Sequence, residues 1–110
     1  MQVQAITKNV RMSPQKMREM VRQIQGLPAL HAQAVLAVVS RKSARVVAKT
    51  LKSAIANAEN NLGAKPETLK VKEAVAQAAR TLKRFTPKAR GSAGPILKRS
   101  CHVKIVVSDE

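Results

Sequence analysis

The chain has 110 residues, with 21 Lys and Arg against 6 Asp and Glu for a net charge of +15, 45% apolar residues, no Trp or Tyr and a single Phe85. That apolar fraction is globular rather than disordered and fits one domain with a modest core, while the charge makes nucleic acid the default partner and leaves the free protein self-repelling and only marginally stable. The lack of rings argues against the sheet and barrel readers of single-stranded nucleic acid that stack bases on aromatic side chains, and phosphate, sugar and shape contacts remain.

Gln2 to Lys8 alternates weakly, with Val3 and Ala5 on one side, and predicts a first strand. At Ser13 the signals sharpen: Ser in the N-cap position, Pro14 at the first helical position, then Met17, Met20, Val21 and Ile24 at helical spacing, closed by Gly26. The remaining positions carry Lys16, Arg18 and Arg22 opposed only by Glu19, so the outer surface of this helix is basic. A second short helix is expected after Pro28, with Leu30, Ala34, Val35 and Val38 as its buried side. Ser40 is expected to cap the longest helix, which runs to about Leu62 and stops at Gly63, a residue that tolerates a left-handed terminus. Val47, Leu51, Ala54, Ile55, Ala58 and Leu62 share one face of it, and Arg41, Arg45, Lys49 and Lys52 form a separate cationic stripe.

After "GAKPE", Leu69 to about Arg80 reads as a strand with Leu69, Val71 and Val75 on one side. From Ser100 a further strand places Val103, Ile105 and Val107 one way and His102, Lys104 and Val106 the other. Between them lies a connection, 81–99, too long for an ordinary loop. The stretch from Ala74 to Ser108 holds eight Lys or Arg and no carboxylate, and its middle is rich in Gly and Pro. An antiparallel ribbon with about nine residues per arm, at roughly 3.3 Å each, would project on the order of 30 Å from the core. Such a hairpin is marginal by itself in water. Lys83, Arg84, Lys88, Arg90, Lys98 and Arg99 supply it with charges for phosphate, and Pro87, Gly91, Gly94 and Pro95 let its tip bend against a surface.

Catalytic signatures are missing from the sequence. The carboxylates Glu19, Glu59, Glu67, Glu73, Asp109 and Glu110 are scattered, and there is no phosphate-binding GxxxxGK[ST] loop and no metal-ligand cluster. Met12, Met17 and Met20 have no Cys or His beside them at ligand spacing and read as core. His31 is remote from His102, and Cys101 and His102 point to opposite faces of a strand, which argues against a nucleophile and base pair. Phe85 stands open between packing the hairpin and stacking on a base. No enzyme, cofactor or metal is expected. The lone Cys101 and the absence of an apolar signal-peptide run in "MQVQAITKNVRMS" point to a reducing cytoplasm. The uncharged stretch from Ile24 to Ser40 is broken by Gly26, Pro28 and His31, so no membrane span or membrane partner is expected.

Three linked stretches, "SPQKMREMVRQIQG", "KSAIANAENN" and "KRFTPKARGSAGPILKRSCHVKIVVSDE", resemble the large-subunit ribosomal protein twenty-two family of bacterial type, over nearly the whole chain. The resemblance implies an α+β fold, a small three-stranded antiparallel sheet packed with three helices plus a long protruding β-hairpin. Residues 1–80 and 100–110 would be the globular part of a single domain, and about 81–99 the hairpin arm. It further implies a structural protein bound to large-subunit rRNA and neighbouring ribosomal proteins near the exit of the polypeptide tunnel. The hairpin would line the tunnel wall and touch the nascent polypeptide transiently, and no homo-oligomer is expected. Lys83, Arg84, Pro87, Lys88, Arg90, Gly91, Lys98 and Arg99 fit the family's hairpin pattern, with Ala89, Arg90, Gly91, Ser92 and Ala93 as the tip. Members often carry a further basic residue where this chain has Ser92, and Gly94-Pro95 also departs from the usual sequence. The candidate rRNA contacts are then the hairpin cations together with Lys16, Arg18 and Arg22 of the first helix, the stripe Arg41, Arg45, Lys49 and Lys52, and Lys8, Arg11 and Arg80. The competing reading is a DNA-architectural protein of nucleoid type, which also enters a groove with a basic β-arm; a cationic membrane-active protein would need bulky apolar and aromatic side chains on one helix face.

Overall fold

The computed structural model describes residues 2–87, 91 and 93–109; the side chains of 84–87, 93, 95 and 96 are not among those described. The elements follow in the order β1 (Gln2–Val10), α1 (Pro14–Ile24), α2 (Ala29–Val38), α3 (Lys42–Leu62), a 3-10 turn (Pro66–Thr68), β2 (Lys70–Ala78), β3 (Leu82–Pro87), β4 (Ala93–Lys98) and β5 (Cys101–Ser108). One sheet has the strand order β1-β5-β2, antiparallel throughout, and β3 pairs with β4 in a separate two-stranded sheet. Helices α1 and α3 lie on one face of the three-stranded sheet, α1 against β2 and α3 across β1 and β5, with α2 packed on α3. This is the two-layer α+β arrangement expected when one amphipathic sheet face must be covered by amphipathic helices.

Local sequence explains where the elements start and stop. Ser13 holds extended backbone (φ −66°, ψ 134°), Pro14 opens α1, and the Ser13 carbonyl accepts from the Met17 amide at 3.2 Å, although its hydroxyl makes no capping bond. Met17, Met20, Val21 and Ile24 are all buried, one side of the helix at i, i+3, i+4 and i+7. Gly26, at φ 86°, turns the chain so that its amide donates to the Val71 carbonyl; Val71 in turn donates to Leu27, and Ala29 to Leu69, each at 2.9 Å. The α1–α2 connection thereby covers much of the outer edge of β2 near its start, satisfying backbone groups that an open edge would expose. α3 ends at Gly63 in the left-handed region (φ 66°), whose amide reaches the Glu59 carbonyl at 3.1 Å.

Five expectations from the sequence are corrected. α2 buries Ala29, Ala32 and Leu36, while Leu30 is 45% and Val38 84% exposed; apolar residues surround this helix, so periodicity could not choose its inner face. The cap of α3 is Arg41 rather than Ser40, and Leu62, in its last turn, is 41% exposed. β2 stops at Ala78, leaving Arg80 in a connection. Its inner face also changes parity. A bulge between Val71 and Glu73 inserts one residue, so beyond it Ala74 and Ala76, not Val75, point into the core. A single inserted residue exchanges the two faces of a strand.

The core is aliphatic and sulfur-containing, and Met17, Met20, Ile24, Leu51, Ile105, Val47, Val71, Val103, Val107 and Cys101 are fully enclosed. Val103, Ile105 and Val107 project inward from the central strand as expected. The sheet pairing runs to Ala78 opposite Cys101 and resumes as Leu82 opposite Lys98, bridged by the Ala79 amide and the Ser100 carbonyl at 3.0 Å. Each strand of the second sheet has six residues rather than about nine. β3 and β4 pack chiefly on each other. The chain measures 63 × 26 × 17 Å with a radius of gyration of 17.0 Å, against roughly 13 Å for a compact domain of about 100 residues.

Candidate nucleic-acid interface

The topology gives the molecule two chemically different ends. Val10, Ala78 and Cys101 mark the end of the sheet from which β3 and β4 continue, and Gln2, Lys70 and Ser108 mark the other. α1 and α3 both begin at the first end, where Arg11, Lys16, Arg41, Lys42, Arg80 and Arg99 gather, all of them exposed. Glu59, near the end of α3, Glu67 in the 3-10 turn and Asp109 after β5 all lie toward the far end. The root of the β3–β4 pair is therefore predominantly cationic, whereas the far end mixes these carboxylates with Lys65, Lys70 and Lys72.

The stripe on α3 is present as drawn from its spacing: Arg41, Arg45, Lys49 and Lys52 are exposed along one line of the helix, opposite the buried Val47, Leu51, Ala54 and Ile55. Its first member is engaged. Arg41 Nη1 donates to Glu19 Oε2 at 2.9 Å, a pair about half exposed on both sides, which ties α3 to α1 with the modest energy of a surface ion pair. Arg45, Lys49 and Lys52 make no ion pair among the described residues.

On α1, Lys16 and Arg22 are free of hydrogen bonds among the described residues, whereas Arg18 donates from Nε to the Ala76 carbonyl of β2 at 3.1 Å. Arg18 is thus partly a bracket between helix and sheet. A shallow groove brings Arg18 and Arg22 beside Glu73. Arg11 Nη1 donates to the Arg99 carbonyl at 2.8 Å and fastens the end of β1 to the β4–β5 junction. Lys8, Lys83 and Lys98 are exposed. Lys88, Ala89, Arg90 and Ser92 lie outside the described residues, as does the side chain of Arg84; Gly91 has φ 75° and Ala93 begins β4.

Sequence reasoning passed over Lys42, Lys65, Lys70, Lys72 and Lys104. Lys42 is the one the fold brings into the root cluster. Its signal was its place beside Arg41 at the start of a helix, where a side chain sits on the positive end of the helix dipole and gains nothing from it.

Among the described residues no three His, Cys, Asp or Glu side chains come together as a metal site, and no helix is long and apolar enough to cross a membrane. Cys101 is buried while His102 sits on the outer face of the sheet, its Nδ1 accepting the Asn9 amide at 3.0 Å. Asn9 adopts φ 58° at the irregularity between Thr7 and Val10, and the imidazole satisfies the amide that this displaces from the ladder. Burial pushes the Cys101 thiol above its ordinary value, with the Arg18 charge pulling weakly the other way. A buried, protonated thiol is a poor nucleophile.

A small aliphatic α+β core under a strongly basic surface defines a class of small basic α+β proteins. The family model described as ribosomal protein L22p/L17e matches residues 5–108. The large ribosomal subunit protein uL22 of Opitutus terrae is 52% identical over 109 residues, spanning 99% of this chain and 96% of that protein. The chain belongs to the ribosomal protein L22p/L17e family.

Proposed function

We propose that this protein is a structural component of the large ribosomal subunit in the cytoplasm, binding large-subunit rRNA through its basic surfaces and contacting neighbouring ribosomal proteins. The β3–β4 hairpin, with Lys83, Arg84, Lys88, Arg90, Lys98 and Arg99, lines the wall of the nascent-polypeptide tunnel, and the globular part sits near the exit. The observation that carries this reading is the family match across nearly the whole chain. The fold adds physical support: cations outnumber carboxylates where the hairpin leaves the core, and burying that charge among phosphates releases condensed counterions. Basic helix faces then bridge RNA segments whose phosphates repel one another, and no catalytic group is required.

The test is competition binding at physiological salt, with labelled large-subunit rRNA challenged by excess duplex DNA and by unrelated structured RNA. Retention of the rRNA against both is the expected result. Equal displacement by duplex DNA would show that charge alone drives binding and would put a DNA-architectural role in its place.

A further inference from the structure

A cleft of about 300 Å³ opens where β4 passes into β5, against the starts of α1 and α3. Its walls are of two kinds. Arg11, Lys16, Lys42 and Arg99 form a cationic rim, while Met12 and Leu97 supply an apolar surface, and no carboxylate lines it. Leu97 is 46% exposed, and Met12 is packed only partly against the core. Arg11 spends one donor on the Arg99 carbonyl, and the neighbouring carboxylate, Glu19, is engaged by Arg41. Lys16, Lys42 and Arg99 have no anionic partner among the described residues. Four like charges converging on one small cleft raise the energy of the empty protein, and an anion in the cleft relieves that repulsion. Neither helix that starts here has a side-chain cap or an acidic residue in its first turn, which leaves their partial positive charge uncompensated.

Size and wall chemistry together select the occupant. A volume at the lower limit of the roughly 300–1,000 Å³ of small-molecule sites admits one residue of a polymer, not a helix. A lone phosphate would leave Met12 and Leu97 wet, and an apolar peptide would leave the rim unneutralised. A nucleotide presents both an anion and a flat, weakly polar body, and single-stranded RNA offers such units unstacked. We propose that the cleft receives one unpaired nucleotide of the bound RNA, its phosphate held by the Arg11, Lys16, Lys42 and Arg99 rim and its base or sugar laid against Met12 and Leu97. The assignment rests on the rRNA-binding reading above and adds which kind of RNA unit this surface selects. Because the rim joins the end of β1, both helix starts and the β4–β5 junction, the same contact fixes the hairpin's root to the core.

The experiment uses the full chain and large-subunit rRNA, with affinity measured across a salt series. Lys42→Ala combined with Arg99→Ala removes up to two phosphate contacts and is expected to flatten the log–log salt slope by about 1.5. Leu97→Ser is expected to weaken binding about fivefold, the loss of roughly one buried aliphatic contact, with the slope unchanged. All three side chains are exposed, so no variant should melt below the unsubstituted protein, and loss of the repulsion should raise the melting temperature of the double variant if anything. In parallel, rRNA substituted with 4-thiouridine is irradiated in the complex, and crosslinks to the peptides containing Met12 and Leu97 are expected at unpaired uridines. If the protein selects rRNA over duplex DNA but the double variant keeps its slope, or the crosslinks fall in duplex, the cleft assignment is overturned and the rRNA-binding role stands. If the protein does not select rRNA, both fall together.

Discussion

The hydroxyl of Thr50 lies 2.7 Å from that of Thr7 and 3.0 Å from the Val46 carbonyl. A carbonyl only accepts, so Thr50 donates to Val46 and accepts from Thr7, which fixes the direction of a polar link between α3 and β1 inside an aliphatic core. Thr50 is 1% exposed, and the link is a point where helix and sheet can register.

Removing the acceptor is therefore worse than removing the donor. Thr50→Val leaves the half-buried Thr7 hydroxyl without its partner and is expected to cost about 1–2 kcal/mol, and Thr7→Val, which leaves Thr50 bonded to Val46, about 0.5–1 kcal/mol. The double variant should cost less than the sum, a coupling that urea denaturation of all four proteins would measure. Strict additivity would mean that the bond contributes nothing.

Cys101 gives a prediction in pH. Its pKa is raised in the folded protein above the ordinary 9.0 by burial. Between those two values the unfolded chain has lost the proton and the folded chain retains it, so the unfolded state binds fewer protons and stability falls as pH rises. The stability of the protein minus that of Cys101→Ala should be flat below about pH 8 and decline from about pH 9 upward. The thiol should also resist alkylating reagents until the protein unfolds.

The parity of β2 can be read by substitution. Ala76→Lys places an unpaired charge in the core and is expected to cost more than about 3 kcal/mol. Val75→Lys, on the outer face, is expected to cost less than about 1 kcal/mol. If Val75 faced inward, as simple alternation from Val71 predicts, the ranking would reverse.

That strand shows where the sequence was legible and where it was not. Ser13-Pro14, Gly26 and Gly63 mark positions whose backbone demands few residue types can meet, and α1 and α3 were readable to within a residue or two. α1 also separates its apolar and charged residues cleanly. α2 does not, since Ala and Val surround it, and its inner face is decided by α3. The β2 bulge has no composition of its own; it is imposed by pairing with Val106 and Val107, about thirty-five residues away. At the charged surface the α3 stripe was legible because it follows the helical repeat. The root cleft was not, because Arg11, Lys16, Lys42 and Arg99 come from four stretches joined only by the fold. That Arg18 is tied to Ala76 follows from helix-on-sheet packing and leaves no trace in spacing.

The hairpin cations carry a separable prediction. Neutralising Lys83, Arg84, Lys88 and Arg90 together should weaken rRNA binding and flatten its salt slope by as much as about 3, with the melting temperature of the globular part unchanged. An unaltered slope would remove the hairpin from the contact surface.

β5 is the last strand in the sequence and the middle one in the sheet, pairing with β1 across about a hundred residues of chain. During synthesis, β1 and β2 are finished while the strand that joins them does not yet exist. Their apolar inner edges cannot meet each other, and pairing at such separation is slow even when both partners are available. A product interrupted before Cys101 contains all three helices but lacks the strand that joins β1 to β2. The three-stranded sheet therefore closes only after β5 is made, by a strand that pairs at once with partners synthesised long before it.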